Sequence, residues 1–343
     1  MARSATVTPA DEAEAVAAGG LPGRLHAHVW SNGQLSDFDR LDERFRDAWA
    51  SEDAIVWVDL ESPTAELLAE LAQSLELHPL IVEDIAERNQ RAKIEATGEV
   101  LHIVMFALLY EGELVPAELD IVLGRRFLLT AHPPEFQPTE TGHFRRSGVA
   151  PFLAKGPDYV LWAVVDGLVD GYFPVFDKLG DEIDELQEDV LGRPSRWLIE
   201  RLLQVRKDLL TIRHAINPQR EIFNQLTNRE MVLVKPDRVI YFRDVYDHLI
   251  RLTDELDSYR EIVGTTLDAY LSTVNNNLSE VMKRLTAATV VLAGVGALAG
   301  IFGMSEAGLA LDFAEAPGFW VVTVAILVIG GAGLLYFRRI GWL

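Results

Sequence analysis

The chain has 343 residues, no cysteine and a formal net charge of −21, with 52 acidic against 31 basic residues. Such a balance argues against nucleic-acid binding, which needs clustered lysine and arginine, and the lack of thiols excludes disulfides and thiolate metal sites. Mean hydropathy is nonetheless near neutral, at +0.11, because apolar content is concentrated towards the C-terminal end.

Residues 1–24 contain no apolar core segment, so they read as a disordered tail and not as a signal peptide. An acidic chain without thiols suits a reducing compartment and the handling of cations. From residue 25 to about 150 the pattern is that of an α/β domain. HAHVW (26–30) and AIVWVDL (54–60) predict short strands, with helical spacing between them at Leu41, Phe45 and Trp49. A helix is expected over Thr64–Leu77, capped by Ser62 with Pro63 at its first position, and another over Leu80–Arg88. EVLHIVMFALLY (99–110) and ELDIVLGRRFLLTAH (118–132) predict two long strands joined by a turn around EGELVPA. His26 and His28 alternate on a strand, which is the pattern of an ordinary exposed pair.

Residues 151–234 read as a long helical hairpin, Asp158–Leu191 and Pro194–Leu226, turned at Gly192-Arg193-Pro194. Within it DEIDELQED (181–189) is either a metal-buffering surface or, on the simpler reading, a solvated acidic face. Residues 235–304 follow as one stalk helix, charged and amphipathic at first and apolar later. Leu285–Met304 runs for twenty residues without a charge, long enough to cross a hydrocarbon core of about 30 Å. The whole helix would be roughly 100 Å long.

A second charge-free run, Pro317–Phe337, predicts a second span after an outer loop at 305–316. Lys283 and Arg284 precede the first span, and Arg338 and Arg339 open a basic C-terminal segment, 338–343. The loop carries Glu306, Asp312 and Glu315 and no basic residue. The positive-inside rule then expects a multi-pass protein of the inner membrane with both termini cytoplasmic.

Along the stalk, Asp268, Asn275, Met282, Thr289, Gly296 and Gly303 recur every seven residues, with Ser279, Thr286, Ala293 and Gly300 beside them. A seven-residue repeat holds one stripe towards partner helices or an axis. This stripe is polar and then small, which packs poorly as a dry seam and suits a watery lumen. The alternative is helix packing through small residues, for which Gly296-Ala-Leu-Ala-Gly300 is a GxxxG pattern. GVGALAG (294–300) lacks both the strand–turn–helix setting and the lysine of a phosphate loop, so no nucleotide is expected. No motif of an enzyme is present, and none is expected to act here.

Three stretches carry a family resemblance: YFRDVYDHLIRLTDELDSYREIVGTTLDAYLSTVNNNLSEVMKRLT (241–286), AGIFGM (299–304) and the YFRRIGWL ending. With HPLIVEDIAERNQRAKIE (78–95), they resemble the CorA family of divalent-cation channels from about residue 25 onward. The resemblance implies a funnel-shaped homopentamer whose long helices line a pore and whose second spans ring them. It implies no cofactor beyond Mg²⁺ or another divalent cation, as cargo and as regulatory ligand. An intersubunit metal site that closes the funnel would fall on Asp84 and Asp244. Asp268, Ser279, Met282, Leu285, Ala293 and Gly296 would line the pore, with its hydrophobic constriction at Met282 and Leu285.

At the outer mouth the family's Gly-Met-Asn is replaced by Gly303-Met304-Ser305. A serine hydroxyl reaches less far than the carboxamide that meets a hydrated ion, so the identity of the transported metal is the open point. Mg²⁺ comes first, with Co²⁺ or Ni²⁺ beside it. The rival transport reading is a ZntB-like importer of Zn²⁺, with proton coupling as an option. The rival of another class is a non-conducting, membrane-anchored metal sensor or scaffold.

Overall fold

The computed structural model describes residues 23–110, 112–192, 195–228, 231–304 and 317–342. The expected N-terminal tail and the outer loop lie outside the described residues, apart from Gly23 and Arg24. The chain divides into two compact units. One takes in the described residues up to Glu185 together with Glu200–Val263, and the other Leu186–Ile199 together with the residues from Gly264 on.

The first unit is built on a mixed seven-stranded sheet. Its strands are β1 (Arg24–Ser31), β2 (Gln34–Phe38), β3 (Ile55–Glu61), β4 (Lys93–Thr97), β5 (Val100–Tyr110), β6 (Leu114–Leu123) and β7 (Phe127–His132). They lie in the order β2-β1-β3-β7-β6-β5-β4. Every pair is antiparallel except β3 with β7.

Two strands are additions to the sequence reading. Strand β2 exists because Asn32 and Gly33 both take positive φ, 52° and 78°, the backbone of a two-residue hairpin turn. His26 and His28 pair with Asp39 and Asp37 across that hairpin, at 3.2 and 2.7 Å. Strand β4 forms the far edge. The expected seven-residue turn around EGELVPA shortens to three, since Tyr110 pairs with Leu114 and Leu114–Ala117 joins the ladder. Pro116 is tolerated there because β6 pairs with β7 only from Asp120 onward. The expected long strand 118–132 breaks at Gly124, where a Cβ would run into the Phe127 ring.

One face of the sheet is covered by α1 (Glu43–Ala50), α2 (Ala65–Leu75) and α3 (Pro79–Glu87). Leu68, Leu71, Leu75, Ile81 and Ile85 pack there on Val56, Val58 and Leu60. Burying each such side chain contributes about 1.5–3 kcal/mol. The cap of α2 is Thr64, whose Oγ1 accepts from Leu67 N at 3.3 Å, and not Ser62, which takes φ 48° two residues earlier.

The opposite face receives α4 (Gly142–Ser147), α5 (Ala150–Leu153) and α6 (Pro157–Asp170). Trp57 points to this side, donating to Thr130 Oγ1 at 2.9 Å with its ring 4.8 Å from that of Phe144. Residues 157–190 are apolar enough to pass for a membrane span, but α6 is apolar because it is buried nearly all round. The expected boundary near residue 150 therefore falls inside one packed unit.

The helix expected over Asp158–Leu191 is two helices, α6 and α7 (Phe173–Leu191), separated at Gly171 and Tyr172. Tyr172 is fully buried, and its hydroxyl lies between the Phe106 carbonyl and Gln219 Oε1, the latter at 2.8 Å. Satisfying that phenol outweighs continuing a helix through glycine. On α7, Ile183, Leu186 and Val190 are buried while Asp181, Asp184, Glu185, Glu188 and Asp189 are exposed, the pattern of a solvated acidic face. Glu182 differs, being engaged by Tyr110 and Arg201.

Helix α8 (Arg196–Asn228) is capped by Ser195, whose Oγ accepts from Leu198 N at 3.2 Å. Helix α9 spans Val239–Met304 without interruption, as the sequence predicts, and α10 spans Pro317–Arg339. In the first unit α9 buries Phe242, Val245, Leu249, Leu252 and Leu256 at alternating three- and four-residue steps.

Candidate functional site

The signature HPLIVEDI builds helix α3. His78 caps it, Nδ1 accepting from Leu80 N at 3.2 Å, and Pro79 supplies a preset first turn. Ile81 and Ile85 face the core, which leaves Asp84 on the flank next to β4 and β5. There Lys93 Nζ donates to Asp84 Oδ2 at 2.7 Å and lies 3.2 Å from Glu95 Oε2. Glu95 is cross-strand partner to His102, and His102 Nδ1 comes to 3.9 Å from Asp84 Oδ2. Asp84, Glu95 and His102 each offer a ligand atom within 4.8 Å of the others. Desolvation works to lower the Lys93 pKa, but its bonds to Asp84 and Glu95 more than offset this and raise it.

Asp244 stands in a second such group, with His248 one turn along α9 and Asp166 on α6. Asp166 is buried and contacts His143 Nε2 at 2.6 Å, while Asp244 is exposed. Burial pushes the Asp166 carboxyl up, helped by Asp170 and opposed by the His143 bond. Each carboxylate named by the sequence thus has two further donor residues around it. Within the chain the two carboxylates fall in separate groups.

In the second unit α10 covers one side of α9. A Cβ on Gly330 would come within 3.1 Å of Val295 Cγ2, and one on Gly333 within 3.4 Å of Val291 Cγ2. Ala287 is buried on that same side. Met282, Leu285, Thr289, Ala293 and Gly296 are all exposed and centre roughly 160° around the helix from it. Asp268, Asn275, Ser279 and Gly303 are exposed as well. Met304 ends α9, whereas Ser305, Glu306, Asp312 and Glu315 lie outside the described residues.

Sequence reading had missed Lys93, Glu95, His102, Asp166 and His248. The alternation of Lys93 and Glu95 on a strand was a usable signal for one group. The i, i+4 spacing of Asp244 and His248 was the signal for the other, and Asp166 had none because it comes from a distant helix.

A family model described as CorA-like Mg²⁺ transporter protein matches residues 52–339. The cobalt/magnesium transport protein CorA of Thermotoga maritima is 32% identical over 300 residues, covering 84% of this chain and 83% of that one. The putative metal ion transporter YfjQ of Bacillus subtilis is 30% identical over 292 residues, covering 83% and 89%. Among solved structures, the CorA magnesium transporter of Methanocaldococcus jannaschii superposes with a TM-score of 0.78 at 22% identity, covering 94% of this chain and 99% of that one. At that identity the likeness speaks for the fold.

Proposed function

We propose a function from one premise: the chain belongs to the family of CorA-like Mg²⁺ transporter proteins. It is a divalent-cation channel of the cytoplasmic membrane, assembled as a homopentamer around the α9 stripe, with α10 outside and no covalent chemistry. Mg²⁺ is the first cargo, and Co²⁺ or Ni²⁺ accompany it. The observation that carries this reading is the division of α9 into two faces. One is covered by α10 across glycines, and the other, from Met282 to Gly296, offers exposed apolar and small residues to something outside the single chain.

In this arrangement Met282 and Leu285 form the apolar constriction that gates by dewetting. Asp268 supplies a ring of carboxylates that draws cations on, and Asn275, Ser279 and Thr289 line the wetted path. Asp84 of one subunit and Asp244 of the next hold a regulatory divalent ion, for which hard carboxylate oxygens are suitable donors. Without the ion such carboxylates repel, and the subunits part.

Metal flux into liposomes tests the reading, run across Mg²⁺, Zn²⁺, Co²⁺ and Ni²⁺. A channel gives saturable Mg²⁺ uptake that Met282→Asp alters. A non-conducting sensor gives none, and a Zn²⁺ importer gives uptake of Zn²⁺ driven by a proton gradient.

A further inference from the structure

The group around Asp84 contains more than an acidic flank. His102 is 1% exposed and lies near the start of β5, yet among the described residues its Nδ1 has no hydrogen-bond partner. The other ring nitrogen, Nε2, is 2.9 Å from Asp120 Oδ1, and Asp120 is itself only 2% exposed. A carboxylate at that distance accepts a hydrogen bond from Nε2–H, so the imidazole keeps its lone pair on Nδ1. That lone pair faces Asp84 at 3.9 Å, too far for a hydrogen bond and close enough to share an ion. A buried carboxylate that fixes the tautomer of a histidine whose second nitrogen is free is the support that metal-ligating histidines use.

We propose that Asp84, Glu95 and His102 form a transition-metal site within each chain, supported by Asp120, and that Lys93 is its built-in competitor. One nitrogen and two carboxylate donors suit Zn²⁺, Co²⁺ or Ni²⁺. Mg²⁺ prefers oxygen donors and its own waters, and so discriminates against imidazole. In the described conformation the Lys93 ammonium bridges Asp84 and Glu95, where the ion would sit. Its side chain is 24% exposed, so it can swing into solvent when a divalent ion displaces it. The ammonium offsets one of the two carboxylate charges at low metal concentration and sets the threshold for filling. Because Asp84 also belongs to the proposed intersubunit site, a filled intrachain site would withdraw that carboxylate from its neighbour. Transition metal would then act on the funnel by a route separate from Mg²⁺.

The test uses the full-length protein in detergent, stripped with chelator, in the Asp244→Ala background so that the intersubunit pair and the second group are both disabled. Zn²⁺ binding is followed by equilibrium dialysis, and Co²⁺ binding by its visible absorption. One ion per chain is expected, resistant to millimolar Mg²⁺. Lys93→Met should tighten binding at least about tenfold, and Asp120→Asn should weaken it by about 10–100-fold, as loss of an outer carboxylate does. His102→Phe should remove the site and the Co²⁺ absorption. Should His102→Phe fail to fold, the opposite movements of Lys93→Met and Asp120→Asn still decide the matter. Equal Zn²⁺ affinity in the parent, Lys93→Met and Asp120→Asn proteins, or ready displacement of Zn²⁺ by equimolar Mg²⁺, overturns the proposal. Binding is read without flux, so its failure leaves the channel reading standing, and the converse also holds.

Discussion

Gly330 of α10 lies against Val295 of α9 so closely that a single added carbon would come within 3.1 Å of the valine methyl. Helices in lipid gain little from hydrophobicity against each other and rely on such close approach. A Cβ on its neighbour Gly331 would meet nothing within 4 Å among the described residues. Gly330→Leu should therefore destabilise the protein by about 1–3 kcal/mol, the usual penalty for overpacking, while Gly331→Leu should leave it nearly unchanged. Thermal unfolding in detergent, monitored by static light scattering, checks this. Equal behaviour of the two variants would show that α9 and α10 do not pack as described.

A second close approach joins α7 to α9 in the first unit. A Cβ on Gly180 would lie 2.5 Å from the Tyr259 hydroxyl, which itself hydrogen-bonds Glu255 at 2.8 Å. Gly180→Ala should lower stability, and Tyr259→Phe in the same chain should restore part of the loss by removing the clashing oxygen. A double-mutant cycle in chemical denaturation should give a coupling of about 0.5–3 kcal/mol. Strictly additive effects would refute the contact.

His132 makes the first unit sensitive to pH. It is buried at the end of β7, with Nε2 3.3 Å from Asp59 Oδ1, without hydrogen-bond geometry, and Nδ1 2.8 Å from the Pro133 carbonyl. Burial works to lower its pKa, but the Asp59 carboxylate and the Pro133 carbonyl outweigh that, and the folded value lies above the ordinary 6.5. A raised histidine contributes stability that is complete below about 6.5 and is lost as pH rises through the folded value. Unfolding of the full chain should accordingly occur at lower temperature at pH 8 than at pH 6, and His132→Asn should reduce the difference. An undiminished pH dependence in that variant would place the titrating group elsewhere.

The outer mouth offers a prediction about selectivity. By the family resemblance Ser305 falls where asparagine is expected, and in the proposed channel its hydroxyl is a shorter partner for the water shell of an incoming ion. In the proposed pentamer, a loss of about 0.5 kcal/mol per subunit becomes roughly 2.5 kcal/mol over five subunits, near a hundredfold in affinity. Glu306, Asp312 and Glu315 can raise local cation concentration without choosing among ions. Ser305→Asn should therefore sharpen preference for Mg²⁺ over Co²⁺ in liposome flux and increase block by cobalt hexammine. Tight, hexammine-sensitive Mg²⁺ uptake in the native protein, unchanged by the substitution, would discard the argument.

The sequence alone determined the elements whose signals are local. The 66-residue α9 was legible because a long run without proline that keeps helical periodicity reads as one helix. The motif around Asp84 and Asp244 was legible as a family pattern. What the tertiary structure decided are the points where distant segments set the local outcome. Helix α6 ends at Gly171 because Tyr172 finds its hydrogen-bond partners on β5 and α8. The strand expected at 118–132 breaks because Phe127 fills the space at Gly124. Lys93, Glu95 and His102 gather at Asp84, and Asp120 meets His102, only through the pairing of β4, β5 and β6; the alternation of Lys93 and Glu95 hints at one edge of the group, and nothing along the chain records the rest. Periodicity reports which way a side chain points from its own backbone, whereas partners across a sheet or between helices depend on register and packing that only the folded chain supplies.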